Sequence, residues 1–160
     1  MVNSPAPSSN DVKTHHESVG AWAKRYYFAN RAAIESVLRP YGIGTTQWYV
    51  LYQLANDGPT IQRDLGQLLH LERATLSGIV STLVRKGHVE QVPGATDQRQ
   101  RVLHLTKAGR KLWEGLPDPI AVIGATSLQD ISEAELATAV RVLKAATQRL
   151  NDYMADGDRT

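Results

Sequence analysis

From His16 to Leu38 the apolar residues Val19, Trp22, Tyr26, Ala29, Ala33 and Val37 recur at three-and-four spacing, which predicts a helix with one stripe to bury. Pro40 and Gly42 end it, and a second helix is expected from about Thr45 to Ala55, before the turn Asn56-Asp57-Gly58-Pro59. Ile61 to Leu69 reads as a short helix capped by Thr60, with Leu65, Leu68 and Leu69 facing inward. A longer helix runs from Glu72 to Lys86, where Leu76, Ile79, Val80 and Leu83 make one apolar stripe and Gly87 stops it. His88–Val92 and Arg101–Leu105 are short Val- and Leu-rich stretches joined by a polar loop, the pattern of a hairpin. Thr106 is placed to cap a helix from Lys107 to about Gly115, which Pro117 and Pro119 break or kink. The last helix spans Ser132 to Tyr153, with Leu136, Val140, Leu143, Thr147 and Leu150 on one side and Ser132 with Glu135 as a capping box. Residues 1 to about 12 have no periodicity and are expected to form a flexible tail.

Helix, short turn, helix and hairpin between Thr60 and Leu105 follow the order of a winged helix-turn-helix, whose second helix enters a DNA major groove. Opposite its apolar stripe, that helix carries Arg73, Thr75, Ser77, Ser81 and Thr82, side chains able to meet phosphates and base edges. The fold class expected is mostly α with a small β wing.

Charge sharpens this picture. The net charge of +2 is unevenly spread: residues 60–111 hold nine Lys and Arg against four Asp and Glu, whereas residues 112–160 hold four against eight. Positive charge gathered in the segment that carries the predicted motif is the footprint of a surface that meets phosphates. At 160 residues, 42% hydrophobic and 21% charged, the composition is that of a globular domain able to bury a core. With no cysteine, disulfides, thiolate metal sites and cysteine nucleophiles are excluded. No apolar run approaches the ~18 residues needed to span a bilayer, and MVNSPAPSSN lacks a basic start and an apolar stretch, so a cytoplasmic protein without a membrane partner is expected.

The residues from Gly42 to Arg110 resemble the MarR family of transcriptional regulators. The resemblance is carried by Gln47-Trp48, by Gln62 with Leu65, by Arg73-Ala74-Thr75-Leu76-Ser77, and by Arg85-Lys86-Gly87. Asp97-x-Arg99 and Leu105-Thr106-Lys107-x-Gly109-Arg110 complete it. It implies a homodimer on a pseudo-palindromic operator in double-stranded DNA, with a winged helix-turn-helix over 42–106 and dimerisation helices at 13–40 and 107–155. The residues it places at DNA are Gln62, Arg63, Arg73, Ala74, Thr75, Ser77, Gly78, Ser81, Asp97, Gln98, Arg99 and Arg101. Arg99 would enter the minor groove, positioned by a salt bridge from Asp97. The chain departs from the family's pattern at His70, where Gly is usual, and at Glu72, Gly78 and His88. A histidine tolerates positive φ better than most non-glycine residues, so His70 fits its turn.

The resemblance also implies a repressor released when a small aromatic or phenolic anion binds between the dimer helices and the winged lobe. Trp22, Arg25, Tyr26, Asn30, Trp48, Tyr52 and Trp113 are the candidates to line that site, an arginine pairing with a carboxylate. A DNA-binding regulator without an effector, or one that responds to a metal, are the alternatives. Against metal, none of the five histidines stands at an i, i+4 spacing with an acid between, so no metal site is expected. No nucleophile elbow, phosphate-cradling glycine loop or paired carboxylates are present, and Gly42-x-Gly44 follows no strand, so neither catalysis nor a cofactor is expected.

Overall fold

The computed structural model describes residues 15–157, so the expected tail at 1–12 lies outside the described residues. The residues form two compact units, one ending at Ile123 and the other beginning at Gly124. In the first unit, helix α1 spans Val19–Leu38. It starts later than the apolar pattern suggests because Ser18 caps it, its Oγ accepting from Ala21 N at 3.2 Å. The burial of α1 also differs from the expected stripe: Ile34 and Leu38 enter the core, whereas Val19, Trp22 and Tyr26 remain about half exposed in the single chain.

After a 3-10 turn at Arg39–Tyr41 closed by Gly42 in the left-handed region (φ +65°), helix α2 runs Thr45–Asn56. Its N-cap, Gly44, has no side chain to offer. Glu35 on α1 supplies the acceptor instead, its Oε2 receiving Thr45 N at 3.1 Å and Thr45 Oγ1 at 2.9 Å. These two bonds, the backbone one first, hold the Glu35 carboxyl below its usual pKa, with Arg31 and Arg39 adding to the effect. A lowered folded-state pKa gives stability that is present above the unfolded value and is lost as pH falls through the folded one. Glu35→Gln should therefore cost about 0.5–1 kcal/mol in urea unfolding at pH 7, the usual worth of a charged helix N-terminal contact. That difference should close as pH drops below the carboxylate range; a gap that is constant down to pH ~3 would mean the charge contributes nothing.

Thr60 does not cap the next helix. Thr60 and Ile61 form strand β1 (Thr60–Ile61), and helix α3 (Gln62–Leu68) begins without a side-chain cap. The two β-branched residues follow Pro59 in extended conformation and pair antiparallel with a later strand, Thr60 opposite Leu103 and Ile61 opposite Val102. Leu65 of α3 is buried and Leu69 is partly buried, but Leu68, expected inward, is exposed. The turn that follows puts His70 at φ +51°, where Leu71 N returns to Gly66 O at 2.9 Å.

Helix α4 (Arg73–Arg85) buries Leu76, Val80 and Leu83 as its stripe requires, and Gly87 at φ +76° ends it. Strands β2 (Val89–Pro93) and β3 (Arg101–Leu105) form the hairpin, from Val89 opposite Leu105 to Pro93 opposite Arg101. With β1 added, the wing is a three-stranded antiparallel sheet in the order β1-β3-β2. Helix α5 (Lys107–Gly115) is capped as expected, Thr106 Oγ1 accepting from Gly109 N at 2.9 Å. The core gathers Ile34, Leu38, Trp48, Leu51, Leu54, Leu65, Leu76, Leu83 and Leu103, so that α1, α2, α3, α4 and the wing share one interior.

Helix α6 (Pro119–Ser127) was not foreseen from the apolar pattern. Asp118 starts it, its Oδ1 accepting from Ile120 N and Ala121 N, and proline is tolerated at a first helical position. In the second unit, helix α7 (Glu133–Gly157) opens on the expected capping box, with Ser132 N donating to Glu135 Oε2 and Glu135 N to Ser132 Oγ. Val140, Leu143, Leu150, Tyr153 and Met154 stand exposed along it. No helix among the described residues is long and apolar enough to cross a membrane.

Candidate nucleic-acid interface

The start of α3, the His70 turn, the first two turns of α4 and the wing surround one open concavity of about 1100 Å³. Its lining brings together Gln62, Arg63, Arg73, Ser77, Asp97, Arg99 and Arg101, seven of the residues singled out from the sequence. The four guanidinium groups face only Glu72 and Asp97 among acids in that lining, so the concavity is net positive. Arg63 is partly engaged, its Nε lying 3.1 Å from Asp64 Oδ1 on an exposed surface. Ala74, Thr75, Gly78, Ser81 and Gln98 are exposed and outside the concavity: the first four continue the polar side of α4, and Gln98 sits at the loop tip.

At 100° per residue, Ala74, Gly78 and Ser81 lie opposite Leu76, Val80 and Leu83. A small-residue face there lets the helix backbone approach a partner closely. A Cβ built on Gly78 would meet nothing within 4 Å. Mid-helix glycine is disfavoured on entropic grounds alone, so Gly78→Ala should raise stability to urea by about 0.5–1 kcal/mol. A fall in stability would show that the glycine answers a constraint inside the fold.

The wing loop departs from the expected arrangement. Asp97 does not pair with the Arg99 guanidinium; among the described residues no ion pair joins them. Its Oδ1 instead accepts the Arg99 backbone N–H at 2.9 Å, the bond an Asp makes when it closes a turn two residues ahead. Gly94 N to Gln100 O and Gln100 N to Asp97 O complete the loop. The carboxylate thus fixes the backbone from which Arg99 projects.

A chain of hydrogen bonds that no spacing in the sequence signals crosses this face. Gln91 Nε2 on β2 donates to Gln62 Oε1 at 2.5 Å, and Gln62 Nε2 donates to Ser77 Oγ at 3.3 Å. Gln91 and Gln100 also line the concavity and were missed.

The aromatic candidates separate into two groups. Trp48, Tyr52 and Trp113 pack together where α2 meets α5, with ring centroids 5.3 to 5.9 Å apart. Trp48 is a core residue, 1% exposed, and its indole Nε1 is buried without a hydrogen-bond partner among the described residues. On α1 the Arg25 guanidinium lies 4.8 Å from the Trp22 ring centroid and donates to His16 O at 2.8 Å, while Trp22 Nε1 donates to Glu17. Tyr26 is about half exposed on the same helix, and Asn30 is half-buried there.

A model of the MarR family matches residues 41–100, which run from the end of the 3-10 turn through the wing loop. The regulator FarR of Neisseria gonorrhoeae is 31% identical over 109 residues, 68% of this chain and 75% of that protein. The chain belongs to the MarR family. Transcriptional activatory protein BadR of Rhodopseudomonas palustris is 35% identical over 102 residues, a match that spans 57% of this chain and 57% of that relative. In fold, this MarR-family chain is similar to BpsR of Bordetella bronchiseptica, whose DNA binding is regulated by 6-hydroxynicotinic acid. That likeness has a TM-score of 0.72 at 22% identity and covers 82% of this chain and 99% of BpsR. The chain spans little more than half the length of BadR, and within that span it carries the winged helix-turn-helix of the MarR family.

Proposed function

We propose that the protein acts as a homodimer on a pseudo-palindromic operator, blocking transcription until a small aromatic or phenolic acid releases it. The observation that carries this reading is the convergence of Arg73, Arg99 and Arg101 with Gln62 and Ser77 around one concavity between the recognition helix and the wing. In this reading α4 lies in the major groove, where Arg73, Thr75 and Ser77 meet base edges and phosphates, and Arg99 enters the adjacent minor groove. Exposed large apolar residues on α1, among them Trp22, Tyr26 and Phe28, and on α7, among them Leu143 and Leu150, supply surface for a dimer contact. The two recognition helices would then meet successive major grooves about one turn, ~34 Å, apart.

For the effector, BpsR and its hydroxylated aromatic acid supply the precedent within a shared fold. Trp22 with Arg25 on α1, and Tyr52 with Trp113 packed over the buried Trp48, supply aromatic surface, and an effector acts only if it binds the released state better. Activation in place of repression is favoured by one observation, the name of BadR as an activatory protein at 35% identity.

Gel shifts with the DNA upstream of the protein's own gene test the reading, at two salt concentrations and against a panel of benzoic, phenolic and nicotinic acids. A salt-sensitive shift reversed by one acid is expected. No shift at low salt would overturn DNA recognition, and a shift indifferent to every acid would overturn the effector. Transcription in vitro from the same DNA, falling on addition of protein, separates repression from activation.

A further inference from the structure

We propose that Gln91 is a positioning residue that sets the hydrogen-bonding polarity of Ser77, and thereby which base edge Ser77 reads. The inference rests on the DNA-binding reading above and deepens it. Ser77 lies on α4, Gln62 on the first turn of α3 and Gln91 on β2, so three separate elements meet in one chain of hydrogen bonds. All three residues line the positive concavity, Gln62 and Ser77 half-buried and Gln91 exposed.

A primary amide has distinct ends, one that only accepts and one that only donates. Gln91 presents its donor end to Gln62 Oε1. Gln62 is then oriented with its own donor end toward Ser77, whose Oγ accepts. A hydroxyl that has accepted this bond keeps its single proton for another partner. Ser77 therefore keeps a donor for the DNA, which suits guanine with its N7 and O6 acceptors, whereas a Ser77 whose proton is spent on Gln62 could only accept, as from the N4 amino group of cytosine. Gln91 need not touch the DNA to impose this.

Substitutions at Gln91 that fix one polarity test the inference. Gln91→Glu can only accept. Gln62 must then turn its amide over, and Ser77 donates to Gln62 and presents a lone pair outward. Gln91→Lys can only donate and preserves the original sense. The experiment selects binding sites from a randomised duplex library with the wild-type protein, Gln91→Glu, Gln91→Lys and Ser77→Ala. It then compares guanine with cytosine at each position, a ratio that cancels the overall affinity change from an added charge.

In the wild type one operator position should favour guanine over cytosine by about three- to tenfold, the worth of one hydrogen bond. Gln91→Lys should keep that preference, Gln91→Glu should abolish or reverse it, and Ser77→Ala should flatten it. A Gln91→Glu profile identical to wild type at every position would overturn the inference, as would a preference that survives Ser77→Ala. If the wild-type protein enriches no sequence at all, the DNA-binding reading itself falls, which is a separate outcome.

Discussion

Gly109→Ala should destabilise the winged unit by about 3 kcal/mol or more, the upper end of overpacking costs, because the new methyl would strike backbone that cannot yield. A Cβ built on Gly109 lies 1.9 Å from His88 O, 2.8 Å from His88 C and 3.0 Å from Leu105 Cδ2. The obstructing carbonyl is held in place, since His88 O accepts from Thr106 N at 3.1 Å. Thr106 in turn donates from Oγ1 to Gly87 O at 2.6 Å and caps α5 by accepting from Gly109 N. Relief requires α5 to move away from the base of the wing by about 1 Å, breaking the cap or the strand end. Set against a typical total of 5–15 kcal/mol, that loss is large, and it should appear as a thermal midpoint lower by roughly 10 °C or more at equal protein concentration. A midpoint within 2 °C of wild type would mean that α5 and β2 are not locked together as described. Gly78→Ala has the opposite expected sign because its Cβ meets nothing, so the pair separates close approach from helix propensity.

The same contacts show what could be read from the sequence. Helices α4 and α7 are legible because each couples an apolar stripe to a local end signal, Gly87 for α4 and the Ser132–Glu135 box for α7, and α5 is legible from the Thr106 cap and the prolines beyond it. Strand β1 was not legible, since two residues cannot display an alternation, and Thr60 reads equally well as a cap. Helix α6 was hidden because Ile120, Ala121, Val122 and Ile123 are apolar on every side and the flanking prolines read as breakers. The pair Asp118-Pro119 was its one available signal. On α1, periodicity gave the helix but not the face that the single chain buries.

Within the site, the arginines, Gln62 and Ser77 could be named from motif and charge, and the concavity brings them together. Gln91 could not, because it meets Gln62 from 29 residues away, across a fold whose register no spacing rule supplies. Motif alone puts Asp97 in the wing loop but does not choose its partner atom, which is the Arg99 backbone N–H. A carboxylate two residues before an amide closes a turn more readily than it reaches a long side chain of the same loop.

Arg99→Ala should weaken operator binding by about 1–3 kcal/mol, roughly 5- to 150-fold, and should reduce the slope of log affinity against log salt. The loop from Gly94 to Gln100 is closed by its own hydrogen bonds, so the Arg99 backbone is placed before DNA arrives and little ordering is left for binding. With no carboxylate partner among the described residues, the guanidinium is available to the enhanced negative potential of a narrow minor groove. Two further variants separate charge, shape and placement. Arg99→Lys keeps the charge and should restore the salt slope, but not the preference for A·T-rich flanks whose groove is narrow. Asp97→Ala keeps Arg99 intact and loosens the turn that presents it, so its loss should be smaller and independent of salt. If Arg99→Ala leaves both affinity and salt slope unchanged, the wing is idle in recognition. The positive face would then act through Arg73 and the start of α4 alone, and the acid at 97 would be a requirement of the loop's fold with no part in DNA binding.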